Sequence, residues 1–534
     1  MRNGKAVARM YFIRKGSGVF MSKHMSAEAA VAMIQDGDTL STSGFVQTGN
    51  PDVLSAALEK RFLETGSPCN LTLFYAAGQG DGKDMAVNHL GHEGLLKRVI
   101  AGHWNLAPKL GKLAVEEKIE AYNLPQGTLS QMFRDIAAGK VGTLTHVGLK
   151  TFVDPRLDGG KLNARTKEDI VEVVTLGGRE LLFYKAAPIN VCFIRATTAD
   201  EKGNIAMEKE GVTLDATSMA QATHNSGGKV IVQVERVVKN GTLDPKLVKI
   251  PHSYVDAIVT VRPEENRPEN DSVLSPCSYG EVVIPLDSLP AARLDERKII
   301  GRRAAMELKR GSMVNLGVGV PEMVASVAAE EGIGEYMTLT VESGPVGGVP
   351  CGGKLFGLSL DPDCILDQAY QFDFYDGGGL DLAYLGLAEC DAKGNINVSK
   401  LGSRVTGCGG FINISQNAKR VFFCGSFTAK GLKIAAGDGK LTILQEGSSR
   451  KFVQQVGHVT FSGENAVATG QPVLYITERA VFELRPDGLH LIEVAPGIDI
   501  EKDILAHMDF APKMEVPPRL MDARIFTDAS MGLK

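Results

Sequence analysis

One glutamate of the 534-residue sequence occupies a position suited to chemistry. Glu342 directly follows the apolar-leaning run 337–341 and directly precedes the glycine-rich turn 343–348. A carboxylate at the carboxyl end of a predicted parallel strand lies where α/β proteins place reactive groups. Glycines beside it let backbone N–H groups approach a ligand closely. Glu342 is therefore a candidate reactive carboxylate, and the alternative is a surface glutamate that caps the turn.

Two further glycine-rich segments could direct backbone N–H groups at a ligand. Residues 317–321, Gly-Val-Gly-Val-Pro, join a predicted strand to a predicted helix, and residues 407–410 read Gly-Cys-Gly-Gly. The first segment is not a dinucleotide fingerprint, because position 322 is glutamate, and no stretch matches a nucleotide phosphate loop. We interpret 317–321 as a candidate ligand loop. A tight packing turn is the alternative.

The other polar residues form no known catalytic or metal motif. The eight cysteines include no C-x-x-C pair, and the neighbouring His89, His92 and Glu93 do not follow the order found in zinc proteases. We therefore expect no metal. Gln126 lies on a Pro-Gln-Gly turn before a predicted helix. On that pattern alone, its side chain is expected to be solvated.

Composition and charge exclude several classes of function. A net charge of −5 and a pI near 6.1 give no electrostatic case for nucleic acid as a partner. The sequence has no run of about 18 apolar residues, so we expect no membrane span. Cysteines without a signal peptide indicate reduced thiols, which favours a cytoplasmic protein. Residues 1–24 are basic and lack acidic residues, and we expect them to form a disordered extension; a transit peptide is the alternative.

The elements that must position these residues are present twice. The segments 200–205 and 391–396 read Asp-Glu-Lys-Gly-Asn-Ile and Asp-Ala-Lys-Gly-Asn-Ile. Each is followed by a β-rich run, at 230 and at 421, so both landmarks are shifted by 191 positions. A constant offset across two landmarks indicates an internal repeat.

A second pair of segments shows where the repeat is broken. Residues 72–78 parallel residues 338–344, and each is a β-type run that stops at a glycine. This alignment sets Glu342 opposite Ala76, so only the second half carries a carboxylate at this position. Loss of symmetry at a strand end supports a functional role for Glu342.

Each half also alternates predicted helices and strands, which indicates parallel sheets covered by helices. The predicted elements are 27–36, 39–43, 44–51 (loop) and 53–62 in the first half, and 296–309, 313–316, 317–321 (loop) and 323–330 in the second. The fold class is therefore α/β, with two similar open domains, largely parallel sheets and an active site in the cleft between them. The predicted divisions are the extension 1–24, a first domain 25–261, a linker or surface crossover 262–290 and a second domain 291–534.

The motifs 341–348, 317–321 and 407–410 together resemble the family I CoA-transferases, in particular the single-chain bacterial members that act on acetate and propionate. The resemblance extends from about Met25 to the C-terminus. It implies that Glu342 is the nucleophile and that Gln126 reaches the reaction centre from the first half. It also implies coenzyme A contacts at Gly317, Val318, Gly319, Val320, Pro321, Ala388, Gly409 and Gly410.

The resemblance further implies the reaction and the assembly. CoA would pass between a short-chain acyl-CoA and a free carboxylate (acetate, propionate, butyrate or acetoacetate) through a glutamyl-CoA thioester on Glu342. Coenzyme A would serve as substrate and covalent intermediate, with no tightly bound cofactor, in a homodimer or homotetramer. One alternative is an acyl-CoA hydrolase on the same scaffold, and a remote alternative is a ligand-sensing protein without catalysis.

Overall fold

The structure is a computed structural model that describes residues 23–268, 274–283 and 292–534. All but the last two positions of the predicted extension 1–24 lie outside the described residues. The predicted linker 262–290 is described only at 262–268 and 274–283. Within the described ranges, no helix is both long and apolar enough to cross a membrane.

The first half is built on a seven-stranded sheet in which every neighbouring pair of strands is parallel. Its strands are β1 (Thr39–Thr42), β2 (Leu71–Tyr75), β3 (Leu96–Ala101), β4 (Glu120–Asn123), β5 (Val191–Arg195), β6 (Lys229–Val234) and β7 (Ala257–Thr260). Their spatial order is 7-6-5-1-2-3-4. The main helices of this half are α1 (Ala27–Val31), α2 (Asp52–Thr65), α3 (Pro108–Val115), α4 (Gln126–Ala137) and α5 (Ala216–Asn225).

The second half is built on a ten-stranded mixed sheet. Its strands are β8 (Ser312–Leu316), β9 (Met337–Thr340), β10 (Pro345–Val346), β11 (Cys364–Ile365), β12 (Leu382–Gly386), β13 (Arg420–Cys424), β14 (Val473–Ile476), β15 (Ala480–Arg485), β16 (Gly488–Val494) and β17 (Lys513–Leu520). Their spatial order is 11-10-9-8-12-13-14-15-16-17. The main helices are α6 (Glu296–Ala305), α7 (Met323–Glu330), α8 (Gln368–Asp376), α9 (Phe411–Asn417) and α10 (Gly463–Thr469).

Each of the two sheets contains five parallel strands that are arranged in the same order. The order 7-6-5-1-2 in the first half corresponds to 14-13-12-8-9 in the second. The repeated sequence landmark forms the same turn in both halves, because Asp200 Oδ1 accepts from the backbone of residues 202–204 and Asp391 Oδ1 accepts from that of Lys393 and Asn395. The predicted fold class of two similar α/β domains in one chain is confirmed.

Two features differ from the predicted pattern. The second sheet continues past β14 through antiparallel β15 and β16, and the first half carries a separate antiparallel sheet of 142–145, 171–176 and 179–185. The described parts of the linker also contain buried as well as exposed residues. Asn266 is fully buried and donates to the Ala196 carbonyl, while Cys277 is fully buried and its carbonyl accepts from Asp361 N–H. Buried residues therefore lie within the predicted linker, and the division of the chain at 262–290 stays a prediction.

The two halves are joined by backbone hydrogen bonds near the ends of their strands. Trp104 N–H donates to the Thr406 carbonyl at 2.8 Å, and Gln126 N–H donates to the Gly409 carbonyl at 3.0 Å. Phe152 N–H donates to the Val459 carbonyl at 2.8 Å. Because peptide groups are obligatory hydrogen-bonding partners when buried, these contacts fix one half against the other. Gln126, Thr406 and Gly409, from the first two contacts, also line the cavity described below.

Candidate active site

Glu342 lies on a turn directly after β9. Val341 N–H donates to the Pro345 carbonyl at 2.9 Å, and Gly344 N–H donates to the Val341 carbonyl at 3.0 Å. Gly344 has a φ of +133°, which L side chains rarely adopt, and a Cβ there would lie 2.1 Å from the Leu366 carbonyl oxygen. Only glycine fits, so the turn is closely packed and holds Glu342 at the carboxyl edge of the sheet.

The environment of the Glu342 carboxyl favours the protonated form more than water does. Burial raises its pKa above the ordinary value for glutamate, while its own backbone N–H and the Asn315 side chain lower it. Asn315 lies on the neighbouring strand β8 and also donates to the Thr340 carbonyl at 3.2 Å. A carboxylate that is partly desolvated but held by donors keeps its basicity and its orientation, which suits a nucleophile.

Glu342 opens onto a cavity of about 430 Å³ formed by both halves of the chain. The first half contributes Phe45, Val46, Gly78, His103, Asn105, Leu106 and Gln126. The second half contributes Asn315, Gly317, Val318, Glu342, Gly353, Phe356, Leu385, Val398, Thr406, Gly407, Cys408, Gly409, Gly410, Phe411 and Ile414. This volume falls within the usual range for small-molecule sites.

The cavity brings together six of the ten predicted site residues. These are Gln126, Gly317, Val318, Glu342, Gly409 and Gly410. Gly319, with a φ of +90°, continues the loop into a short helical turn, Val320–Glu322, that leads into α7. Ala388 follows β12 at the same edge of the sheet. Gly319, Val320, Pro321 and Ala388 do not line the cavity, although they are close to it along the chain.

Gln126 is not the solvated turn residue that its local sequence suggests. It is the first residue of α4 and is 2% exposed. Its Nε2 donates to Gln368 Oε1 at 3.1 Å. The second half of the chain buries Gln126: the Gly409 carbonyl accepts from the Gln126 backbone N–H, and Gln368 Oε1 accepts from the Gln126 side chain. Local sequence could not show this, because both partners are more than 200 positions away.

Several lining residues have no sequence motif that identifies them. His103 lines the cavity, and its buried Nδ1 has no hydrogen-bond partner among the described residues. Burial lowers the His103 pKa to about 4, so the ring is neutral near pH 7. Cys408 also lines the cavity, and burial raises its thiol pKa above the usual range. Its Sγ lies 3.4 Å from the Leu124 carbonyl oxygen, consistent with a thiol that donates.

The arrangement combines one carboxylate, the Gln126 amide and glycine-rich loops around an apolar chamber. The N–H groups of Gly317, Gly407 and Gly409 already donate to the Tyr384, Ser399 and Gly102 carbonyls. Among the described residues, no cluster of His, Cys, Asp and Glu could hold a metal ion. A carboxylate nucleophile needs a donor for the oxyanion of each tetrahedral intermediate, and the Gln126 side-chain amide in the cavity wall can supply one. The chemistry that this site can support is therefore acyl transfer to and from a carboxylate.

Comparisons with known proteins point to the same chemistry. Residues 24–260 match the family model described as Coenzyme A transferase. The chain is 44% identical to the acetate CoA-transferase YdiF of Escherichia coli O157:H7, over 95% of this chain and 96% of that protein. It is 45% identical to the caffeate CoA-transferase of Acetobacterium woodii, over 96% and 99% of the two chains.

A solved structure extends the likeness to three dimensions. The crystal structure of the E. coli O157:H7 acyl-CoA transferase YdiF, as a thioester complex with CoA, superposes with a TM-score of 0.87 at 43% identity. The match covers 96% of this chain and 97% of that one. Sequence motifs, fold and whole-length identity agree, and this chain belongs to the family I CoA-transferases.

Proposed function

We propose that this CoA-transferase exchanges CoA between a short-chain acyl-CoA and a free monocarboxylate through a glutamyl-CoA thioester on Glu342. One observation carries the proposal. Glu342 is the only acidic residue among those that line the cavity, and it shares that cavity with glycine-loop residues and Gln126. A thioester complex with CoA in the structure of a relative with 43% identity supports the same intermediate here.

The proposed reaction needs neither ATP nor a metal, because the energy of the thioester is kept in covalent bonds. The Glu342 carboxylate attacks the acyl-CoA carbonyl carbon, and the carbon–sulfur bond breaks to give an acyl-glutamyl anhydride and CoA thiolate. The thiolate then attacks the glutamyl carbonyl, which releases the first carboxylate and leaves glutamyl-CoA thioester. A second carboxylate reverses these two steps and leaves as its CoA ester.

The other predicted residues receive supporting roles in this proposal. The Gln126 amide donates to an oxyanion, a contact worth roughly 3 kcal/mol when well placed. Gly317, Val318, Gly409 and Gly410 contact the CoA end that enters the cavity, and Gly319, Val320, Pro321 and Ala388 contact its outer part. The divisions 25–261 and 291–534 are proposed as the two catalytic domains. The cytoplasmic location and the homodimer or homotetramer stay predictions.

The wall of the cavity supports the choice of a monocarboxylate. The lining residues include aromatic and aliphatic side chains, such as Phe45, Leu106 and Phe356, and no lysine or arginine. His103 is neutral near pH 7. A second carboxylate on the acyl group would therefore be buried without a counter-charge, which is costly. Acetate and propionate fit this wall better than succinate.

The test is to trap the intermediate. The protein is incubated with acetyl-CoA and then with borohydride, which reduces a glutamyl thioester but not a free carboxylate, and the modified peptide is mapped by mass spectrometry. We expect modification at Glu342, none without acetyl-CoA, and none in the Glu342→Gln variant. An unmodified Glu342 in protein that binds acetyl-CoA would contradict the proposal.

The same preparation separates transfer from hydrolysis and compares acceptors. A transferase forms a new acyl-CoA only when a free acid is present, whereas a hydrolase releases CoA without one. We expect exchange with acetate and propionate and little with succinate. CoA release that does not depend on added acid would favour the hydrolase, and binding without either reaction would favour the ligand-sensing protein.

A further inference from the structure

A buried chain of polar side chains runs from the cavity into the contact between the two halves. Gln126 Nε2 donates to Gln368 Oε1 at 3.1 Å, and Gln368 Nε2 donates to Asp215 Oδ2 at 2.9 Å. Ser130, one turn after Gln126 on α4, donates to Asp215 Oδ1. All four side chains are at least nine-tenths buried. The chain alternates between halves, since Gln368 belongs to the second and its two partners belong to the first.

The end of this chain fixes the orientation of every amide in it. An ionised carboxylate only accepts hydrogen bonds, so Asp215 requires the NH₂ group of Gln368 on its side. The Ser130 oxygen, 3.5 Å from Gln368 Nε2, is a second acceptor on that side. Gln368 must then present Oε1 to Gln126, and Gln126 must donate to it from its own NH₂ group.

The backbone holds the middle of the chain in place. Gln368 is the first residue of α8, and its N–H donates to the Leu214 carbonyl at 3.0 Å. Leu214 directly precedes Asp215 and has a φ of +51°, a conformation that non-glycine residues rarely adopt. Such strain persists where the surrounding structure over-determines it, and it is concentrated at functional sites.

We propose that Asp215 and Gln368 are positioning residues that orient the Gln126 amide, so that the second N–H of Nε2 is presented to the reacting carbonyl. The proposal rests on the function proposed above. If Gln126 turned over, a carbonyl lone pair would replace that N–H and would repel the oxyanion. Neither residue lines the cavity, and both act through Gln126.

The decisive perturbation changes one atom. In Asp215→Asn, an amide that keeps its oxygen on Ser130 turns its NH₂ group toward Gln368, which reverses Gln368 and then Gln126. Because removal of one oxyanion donor costs about 10²- to 10³-fold, and some molecules keep the original orientation, we expect kcat to fall about 10- to 100-fold. KM for acetyl-CoA should change less than about threefold, because CoA contacts are not altered.

A second variant restores the orientation without restoring Asp215. In Asp215→Asn/Gln368→Glu, the carboxylate moves to position 368, where it accepts from both the Asn NH₂ group and Gln126 Nε2. Both changes are isosteric, and the net charge of the pair is conserved. We expect kcat to return to within about threefold of wild type, a rescue that a packing role has no means to produce.

The assays are run at pH 8. Burial raises the Asp215 pKa to about 7, with Asp367 acting in the same direction and Ser130, Gln368 and Arg134 opposing it, so Asp215 is mainly ionised at that pH. The matched control is Asp376→Asn, a partly buried carboxylate at the contact between α4 and α8 that accepts from Gln131, Asn413 and Asn417. Asn413 is already oriented by Gly127 N–H, which donates to its Oδ1, and none of these side chains lines the cavity, so we expect wild-type kcat.

The outcomes separate the two proposals. We call the hydrogen-bonded chain Asp215–Gln368–Gln126 the relay. Three results together support it: the wild type catalyses exchange, Asp215→Asn loses kcat while its unfolding temperature is unchanged or higher, and the double variant recovers kcat. An active wild type with an equally active Asp215→Asn variant overturns the relay alone. A double variant that folds and is no better than the single variant overturns it as well. A wild type without exchange overturns the proposed transfer and, with it, the relay.

Discussion

Replacement of Gly344 by alanine should separate the position of Glu342 from its chemistry. Gly344 lies two residues after Glu342, and its φ of +133° is unfavourable for alanine. The added Cβ would lie 2.1 Å from the Leu366 carbonyl oxygen, whereas real Cβ contacts are essentially never shorter than 3.0 Å. The turn must therefore move by about 1 Å, because the obstacle is backbone and cannot rotate away.

Two magnitudes follow from this geometry. An unfavourable φ costs roughly 1–3 kcal/mol of stability. A displacement near 1 Å at a reacting group can cost about 100-fold in rate. We therefore expect Gly344→Ala to lower kcat for acetyl-CoA:propionate exchange by about 100-fold. The carboxylate itself is intact, so borohydride should still trap the thioester slowly at Glu342.

The matched control is Gly311→Ala. Gly311 has a φ of +79° but no atom within 4 Å of an added Cβ, and it directly precedes β8 at the opposite end from the site. It should lose comparable stability and keep its kcat. Exchange kinetics and thermal unfolding are measured on both variants. The reasoning would be refuted if Gly344→Ala kept the wild-type kcat. It would also be refuted if Gly311→Ala lost as much kcat as Gly344→Ala.

Two further predictions concern protons. Burial raises the Glu342 pKa, so on acidification the nucleophilic carboxylate becomes protonated at a higher pH than an ordinary glutamate does. We therefore expect kcat/KM to begin to fall at a higher pH than the ordinary glutamate pKa. A pH profile that falls only at the ordinary glutamate pKa would contradict this. Asp215 has a pKa of about 7 when folded and 3.8 as its ordinary value, so the folded state holds this proton more tightly. The tighter binding of this proton contributes up to about 4 kcal/mol to the free energy of unfolding below pH 4. This contribution decreases as the pH rises from 4 to 7 and is absent above pH 7. Asp215→Asn should accordingly unfold at higher denaturant concentration than wild type at pH 8 and show a smaller gain at pH 5, and no gain at pH 8 would contradict this.

The sequence was sufficient for the repeat and for the reactive carboxylate. The shared offset between 200–205 and 391–396 predicted two domains, and the common strand order confirms them. The break in the repeat at Ala76 and Glu342 located the end of β9, where the cavity lies. Both results depend on local patterns of strands and glycine turns, which short stretches of sequence encode.

Features that depend on contacts between the two halves could not be predicted from the local sequence. Gln126 reads as a surface glutamine because it lies on a Pro-Gln-Gly turn, and Gln368 carries no motif at all. The antiparallel extension has a local signal, because Asp487-Gly488, at the turn from β15 into β16, is a standard hairpin pair.

The division of the cavity between two halves of one polypeptide has a consequence for behaviour on dilution. A site built from separate subunits loses its components by mass action as the protein is diluted. Here Gln126 and Glu342 belong to the same chain, so their encounter is intramolecular and its effective concentration does not change with dilution. Specific activity per chain should stay constant down to the lowest concentration that the assay detects, provided that only this chain supplies the cavity.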